Sequence, residues 1–317
     1  MVSSAHSIAV VIPTYNRRAI LERTLNALAG QTRRDFHIVV VDDGSTDDTW
    51  EWLQARAETG KSAATSPSAA TEATPRSSVT RQENCGQGQA RNHGLRLVEE
   101  GLVLFLGDDV IPRRECVAEH LQAHKAGAGR RAAVGFTDWR RSEMKVTPAL
   151  EMVNVEGHQF GFAHMKPGEE VPFACFYTSN LSLPRDLLGD EPFDPVFSSY
   201  GWEDIELGYR LSLRGLRLFY HPSAAAEHLH PMTLSDLFAR QRLVGRGLRS
   251  ILNLHPELAG TPLLSPCAPP RWFAVGKRLI PPLVPLLSAA DGAGLALGKR
   301  ILHRVLMCAY YLGQEEN

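Results

Sequence analysis

Two runs near the N-terminus are apolar without interruption, IAVVI at residues 8–12 and FHIVVV at 36–41. Alternating polarity marks a strand with one wet face, whereas an unbroken β-branched run marks a strand covered on both. Between the two runs Ile20, Leu21, Leu25 and Leu28 recur at helical spacing. LVLFL (102–106) and AAVGF (132–136) supply two further strands. Strands of this kind separated by helices predict a parallel sheet with helices on both faces.

The remaining pattern is helical or irregular. STDDTWEWLQ opens a helix, with Ser45 three residues ahead of Asp48 in the spacing of a capping box. In GWEDIELGYRLSLRG the apolar residues Ile205, Leu207, Tyr209, Leu211 and Leu213 alternate as in a strand. Yet acids open the stretch, Arg210 and Arg214 close it, and Gly215 follows, an order that suits the dipole and stop of a helix. A long helix is expected over TLSDLFARQRLVGRGLRSILNL. Residues 59–78, TGKSAATSPSAATEATPRSS, hold almost nothing to bury and predict a flexible surface insertion.

The tail, residues 270–312, mixes apolar and basic positions. Trp272, Phe273, Leu279, Ile280, Leu283, Val284, Leu286 and Leu287 run beside Arg271, Lys277 and Arg278. A second segment sets Lys299, Arg300 and Arg304 among Ile301, Leu302, Val305, Leu306, Tyr310 and Tyr311. Two readings stand: a membrane-interface element, or segments that pack on the catalytic domain or a second subunit. Pro281, Pro282 and Pro285 are expected to interrupt any long helix.

Composition narrows the class. The 317 residues suffice for one large domain, or one with an appendage, and 44% hydrophobic with 22% charged residues is ordinary for a soluble protein. A formal net charge of −1 gives no support for nucleic-acid binding. Cys85, Cys116, Cys175, Cys267 and Cys308 are scattered without CxxC spacing, which argues for a reducing compartment and against a disulfide scaffold. The sequence shows no signal-peptide pattern and no run near about 20 apolar residues, so the expectation is a cytoplasmic chain without a membrane span.

Chemistry concentrates in four stretches. PTYNR and VVVDDGSTDDT follow the first two strands, where ligands of parallel α/β sheets bind. Asp42 and Asp43 can accept hydrogen bonds from a ribose or base, or merely shape a tight turn with Gly44. Asp108 and Asp109, in FLGDDVIP, are hard oxygen donors suited to Mg²⁺ or Mn²⁺, although paired aspartates are also common in loops. Glu203 and Asp204 can serve as a general base or simply match a helix N-terminus, and His228 and His230 would share one face of a strand.

Taken in order, PTYNR, VVVDDGSTDDT, GQARNHG, FLGDDVIP, GWEDIELGYRL and HLH resemble the family-2 inverting glycosyltransferases, over roughly residues 7–250. The GWED stretch is galactosyltransferase-like. The resemblance implies an α/β GT-A fold, a Rossmann-like nucleotide-binding sheet merged with an acceptor-binding half, plus a C-terminal helical tail. The implied division is a transferase domain over 1–255, with halves 1–125 and 126–255, and a tail over 256–317. By match, Pro13, Thr14 and Tyr15 line the nucleotide pocket, Asp43 reads the base with Asp42 in support, and Arg91 and Asp108 also face the donor. Asp109 and His228, with His230, match the metal ligands for Mn²⁺ or Mg²⁺; Asp204 matches the catalytic base, with Glu203 in reserve. Trp202 and Asn180 are assigned to the acceptor, a glycan or lipid-linked molecule, and the donor to a UDP-sugar or similar. Gly107 stands where many members carry the first acid of D-x-D, a departure that bears on ribose contacts more than on metal binding. The competing functions are a sugar nucleotidyltransferase, which normally has an N-terminal glycine-rich phosphate loop, and a non-catalytic membrane-surface scaffold.

Overall fold

The computed structural model describes residues 7–64, 75–125, 129–155, 160–198, 200–261 and 269–316. They divide into two compact units. The first comprises residues 1–140, 165–198 and 207–229, and the second 141–164, 199–206 and 230–317. The sequence reading set one boundary, at residue 255.

The first unit is built on one sheet. Its strands are β1 (Ile8–Thr14), β2 (His37–Asp42), β3 (Arg76–Arg81), β4 (Leu102–Leu106), β5 (Val110–Pro112), β6 (Arg131–Trp139), β7 (Glu170–Val171), β8 (Asn180–Pro184) and β9 (Arg217–His228). They lie in the order β3-β2-β1-β4-β8-β6-β9-β5, with β7 paired to β9. The β3-β2-β1-β4 half is parallel, as expected, but β8 runs antiparallel to β4 and β6, and β5 antiparallel to β9. The sheet is therefore mixed, a correction to the all-parallel expectation. Short strands such as β5 and β8 carry too few apolar residues to announce themselves.

Both faces of β1 are covered, which explains its unbroken apolar run. Ile8, Val10 and Ile12 pack with Leu21, Leu25 and Leu28 of α1 (Arg18–Ala29). On the opposite face α3 (Gln87–Leu95) comes so close that a Cβ on Gly94 would lie 2.8 Å from Val11 and 3.0 Å from Val41. The insertion is shorter than 59–78. Helix α2 runs Thr49–Ala64, and Arg76–Ser78 already pair with His37–Val39. Residues 65–74 lie outside the described residues. The capping box at Ser45 does not form either: its hydroxyl accepts from Asn16 N at 2.9 Å, and Asp47 accepts from Thr49 N at 3.0 Å.

A chain of polar groups ties the sheet to α4 (Cys116–Lys125). The Asn180 amide donates to Ala224 O at 2.9 Å, so its oxygen is left to accept from His120 Nε2, also at 2.9 Å. Nδ1 of His120 then accepts from Ser182 Oγ, which accepts in turn from His124 Nε2, both at 2.8 Å. Gly135 is required here, because a Cβ would run into Ala224 O and the Asn180 amide. Asn180 is 1% exposed and spent on this network, so it is no acceptor-binding group.

The second unit is helical: α5 (Pro148–Val155), the first residues of α6 (Glu203–Leu213, which ends in the first unit), α7 (Leu234–Leu254), α8 (Phe273–Gly292) and α9 (Lys299–Glu315). Thr233 and Asp236 form a reciprocal capping box on α7. Helices α7 and α9 meet through Gly245 and Gly313; a Cβ on either would strike the carbonyl of Tyr310 or Arg242 respectively. Helix α8 is continuous through Pro281, Pro282 and Pro285, contrary to expectation. Pro282 and Pro285 are exposed, so water can serve the carbonyls that lose amide partners. By length and composition it is also the one described helix able to cross a membrane, which the run-length argument missed.

Two outcomes follow. Burial pushes His120 down to about 3 and His124 down to about 4, so both stay neutral in the folded chain while the unfolded chain takes up protons below about pH 6.5. Stability should thus be intact at pH 7 and fall as the pH drops from about 6.5 towards 4. His124→Gln, which retains a donor for Ser182, should flatten that acid limb in melting curves between pH 7 and 5. Separately, Gly245→Ala should destabilise by about 1–3 kcal/mol as α7 and α9 are forced apart, read as a lower Tm.

Candidate active site

The site is assembled in the first unit at the carboxyl ends of β1, β2 and β4 and the end of β9. Asp108 and Asp109 follow β4, and each is only 8% exposed. Asp108 Oδ2 accepts from Thr14 Oγ1 at 2.8 Å, and its carbonyl accepts from Thr24 Oγ1 at 2.7 Å. Asp109 Oδ2 lies 2.5 Å from Arg17 Nη1 and 3.3 Å from His228 Nε2. The same Arg17 nitrogen is 3.4 Å from Asp108 Oδ1. Burial opposes the Arg17 charge, but the two aspartates outweigh it and raise the guanidinium above its ordinary value.

Strand pairing explains how His228 arrives. β5 pairs antiparallel with the end of β9, setting His228 opposite Val110, the residue after Asp109. The Leu229 amide donates to Asp109 O at 2.8 Å, fixing the register. Trp139, the last residue of β6, stacks on the His228 ring at 5.1 Å and 10°. Glycine suits position 107, since a Cβ there would lie 3.0 Å from both Asp109 Oδ1 and Val110. The departure from D-x-D therefore has a packing consequence.

The first two loops are bonded together. Asn16, with a left-handed φ of 52°, turns its side-chain oxygen to accept from Thr46 N at 2.7 Å. Asp42 is fully buried, 3.0 Å from Arg81 Nε, and its oxygens accept from Ser45 N. Asp43 Oδ1 accepts from Gln82 Nε2 and Cys85 N, and Oδ2 from Gly86 N. Oδ2 keeps one acceptor direction unused by these bonds. Pro13 is buried, and Tyr15 is 43% exposed at the loop's tip. Arg91 lies buried on α3 over the Phe193 ring.

Other expected residues belong to the second unit. Glu203 and Asp204 open α6, where carboxylates suit the helix dipole, and Glu203 is 3% exposed. His230 is the first residue after the first unit ends at Leu229. Trp202 is no platform for a sugar. It is 8% exposed, donates to Val244 O at 2.8 Å and lies against Gly247, where a Cβ would sit 2.7 Å from the ring. Its left-handed φ of 76° is a strained backbone that this packing must hold. Arg17 and Trp139 escaped the sequence reading, although Arg17 ends the PTYNR stretch that drew attention.

Residues 9–177 match the sequence pattern of glycosyl transferase family 2. The chain belongs to that family. A validoxylamine A glucosyltransferase of Streptomyces hygroscopicus subsp. jinggangensis is 33% identical over 281 residues, covering 79% of this chain and 62% of the relative. The chain thus spans about three-fifths of that relative's length. Among solved structures, the mannosyltransferase PcManGT of Pyrobaculum calidifontis in complex with GDP-Man and Mn²⁺ matches with TM-score 0.58 and 20% identity, over 97% of this chain and 85% of that one. S. aureus TarS 1-349 with UDP-GlcNAc matches at 0.52 and 18%, over 98% and 90%. These likenesses show the fold, which is of the GT-A type.

A test of the carboxylate cluster follows from its charges. Arg17→Met leaves Asp108 and Asp109 facing each other without the guanidinium. Without added metal the variant should lose on the order of 1–3 kcal/mol. Added Mn²⁺ should raise its Tm more than that of the wild type. Equal Tm for both proteins would mean that Arg17 does not neutralise the pair.

Proposed function

We propose that this chain moves a sugar from a nucleotide-sugar donor, first among them a UDP-sugar, to an acceptor hydroxyl with inversion at the anomeric carbon. The observation that carries the proposal is the convergence of Thr14, Arg17, Asp108, Asp109 and His228 at the strand ends of one unit. The donor class is supported by GT-A neighbours holding UDP-GlcNAc and GDP-Man, and a glucosyl group by the name of the 33% relative. A nucleotidyltransferase reading loses its ground with the family match.

The chain's own residues then divide the work. The remaining acceptor direction on Asp43 Oδ2 takes an N–H of the base, and the exposed Tyr15 ring offers it an apolar face. Arg91, buried on α3, is the residue matched to the nucleotide or diphosphate. An aspartate oxygen with an imidazole nitrogen 3.3 Å away is a donor pair that fits Mn²⁺ better than Mg²⁺. Asp109 and His228 would hold such a cation, with His230 the next donor along the chain, and it would supply positive charge for the departing diphosphate. Asp204 takes the proton of the acceptor hydroxyl as that oxygen attacks from the face opposite the diphosphate. Glu203, more deeply buried, is the reserve. Trp202 acts as a positioning residue that fixes the start of α6.

The acceptor is proposed to be a glycan or lipid-linked saccharide of the cell envelope or an extracellular polysaccharide, in keeping with the basic, apolar tail. A second reading, validoxylamine A or a similar acceptor, is favoured by the name of the 33% relative.

Nucleotide release from UDP-glucose, UDP-GlcNAc and GDP-mannose, with and without acceptor, tests the reading. EDTA should silence turnover until Mn²⁺ returns, and Asp109→Asn should not be rescued. Asp204→Asn keeps the shape but not the basicity, so kcat should fall on the order of 10²-fold or more with donor affinity unchanged. A variant that keeps most of its kcat would move the base elsewhere.

A further inference from the structure

Helix α8 has two unlike faces. Its inner side is anchored at both ends within the second unit. Phe273 packs on Tyr311 at 5.3 Å, and Lys277 Nζ pairs with Glu315 at 2.8 Å. At the far end Asp291 is fully buried, accepting from Ala149 N at 2.9 Å to cap α5. Its outer side exposes Val275, Leu279, Leu283 and Leu286, between 49% and 69% accessible. Spacings of four, four and three residues put these side chains on one stripe of the helix. Isolated exposed leucines need no explanation, but a continuous stripe does.

Charge selects the occupant. From residue 269 to 312 the sequence carries six lysines and arginines and a single acid, Asp291, which is spent on its cap. Arg271, Arg278, Arg300 and Arg304 are exposed and form no ion pair among the described residues. Arg271 and Arg278 fall along one edge of the stripe by helical spacing. A second copy docked face to face would bring like charges together, whereas an anionic lipid surface meets both the leucines and the arginines.

We propose that the outer face of α8 binds an anionic membrane surface, with the helix lying in the plane of the headgroups. Crossing the bilayer is disfavoured because the opposite side of α8 is packed against protein and Asp291 is fixed in a protein cap. Three prolines also leave carbonyls without amide donors, a heavy cost in hydrocarbon that interfacial water removes. This inference is independent of the transferase reading, because its readout is binding rather than turnover.

Flotation tests it, using vesicles of phosphatidylcholine alone and of phosphatidylcholine mixed with phosphatidylglycerol, at low and high salt. The wild type should float with the anionic vesicles only, and less at high salt. Leu279→Glu with Leu286→Glu should abolish flotation. Arg271→Ser and Arg278→Ser should each weaken binding roughly fivefold. All four positions are exposed, so circular dichroism melts should match the wild type. The proposal is overturned if the wild type stays soluble with both vesicles, or floats equally with both. It is also overturned if light scattering shows a dimer that Leu279→Glu with Leu286→Glu converts to monomer.

Discussion

Two carboxylates on successive, nearly buried residues are the constraint around which the first unit is arranged. Unit charges about 4 Å apart interact by roughly 4 kcal/mol at an effective dielectric of about 20, so Asp108 and Asp109 need nearby donors and positive charge. They obtain them from two stretches far apart in sequence, the end of β1 with the loop after it and the end of β9. Arg17 comes from the β1–α1 loop, Thr14 from the end of β1, and His228 from the end of β9. None of the three reaches the pair without the sheet order observed. In particular, β5 must leave the β4 edge and pair with β9, since that pairing sets His228 beside Asp109. The mixed sheet is thus the condition for this cluster, and a purely parallel sheet of the same strands would not bring His228 to it.

Arg17 and a divalent cation answer the same need by different means. A guanidinium spreads its charge over a planar fork and stays within the chain. A metal ion concentrates charge and accepts further ligands from a substrate. A cation held at Asp109, as proposed above, would compete with the guanidinium there, and Asp108, which has its own bonds to Thr14 and Arg17, could retain Arg17. With the guanidinium in place, Arg17 ties the β1–α1 loop to the residues after β4. The bond from Asn16 to the Thr46 amide, and the three donors on Asp43, serve the same end.

What could be read from the sequence follows burial and chemistry type. β1, β2 and β4 were legible because covering both faces demands unbroken apolar runs. β8 and β9 were not. NLSLP buries Asn180 and Ser182 through partners on α4, and RLFYHPSAAAEH carries a proline, three alanines and a register shift against β6. Local propensity cannot foresee tertiary partners. The same limit produced the errors over α8, where propensity counts three prolines and ignores the anchors at both ends. The ordered motifs identified the family and located Thr14, Asp109 and His228 in one cluster. Asn180 and Trp202, assigned to the acceptor, are instead buried on protein partners, because a sequence position does not say whether a side chain faces a ligand or the protein. Arg17 went unread because an arginine in a polar loop is usually solvated.

The two C-terminal helices show how similar compositions reach opposite ends. α9 spends its apolar residues inward: Leu302, Val305, Leu306, Cys308, Ala309 and Tyr311 are buried, and Gly313 meets the backbone of α7 across a seam shared with Gly245. That seam brings two backbones close enough for α7 and α9 to satisfy each other. α8 gains little from the arrangement, burying only Phe273, Gly276, Val284 and Asp291. Its leucines therefore contribute almost nothing to the second unit's core, while each exposed one leaves apolar area in water at about 25 cal/mol per Å². Folding alone would tolerate polar residues at 279, 283 and 286. Their apolar character has a physical use only where something other than water covers them, and the surrounding arginines favour the anionic surface proposed above as that cover.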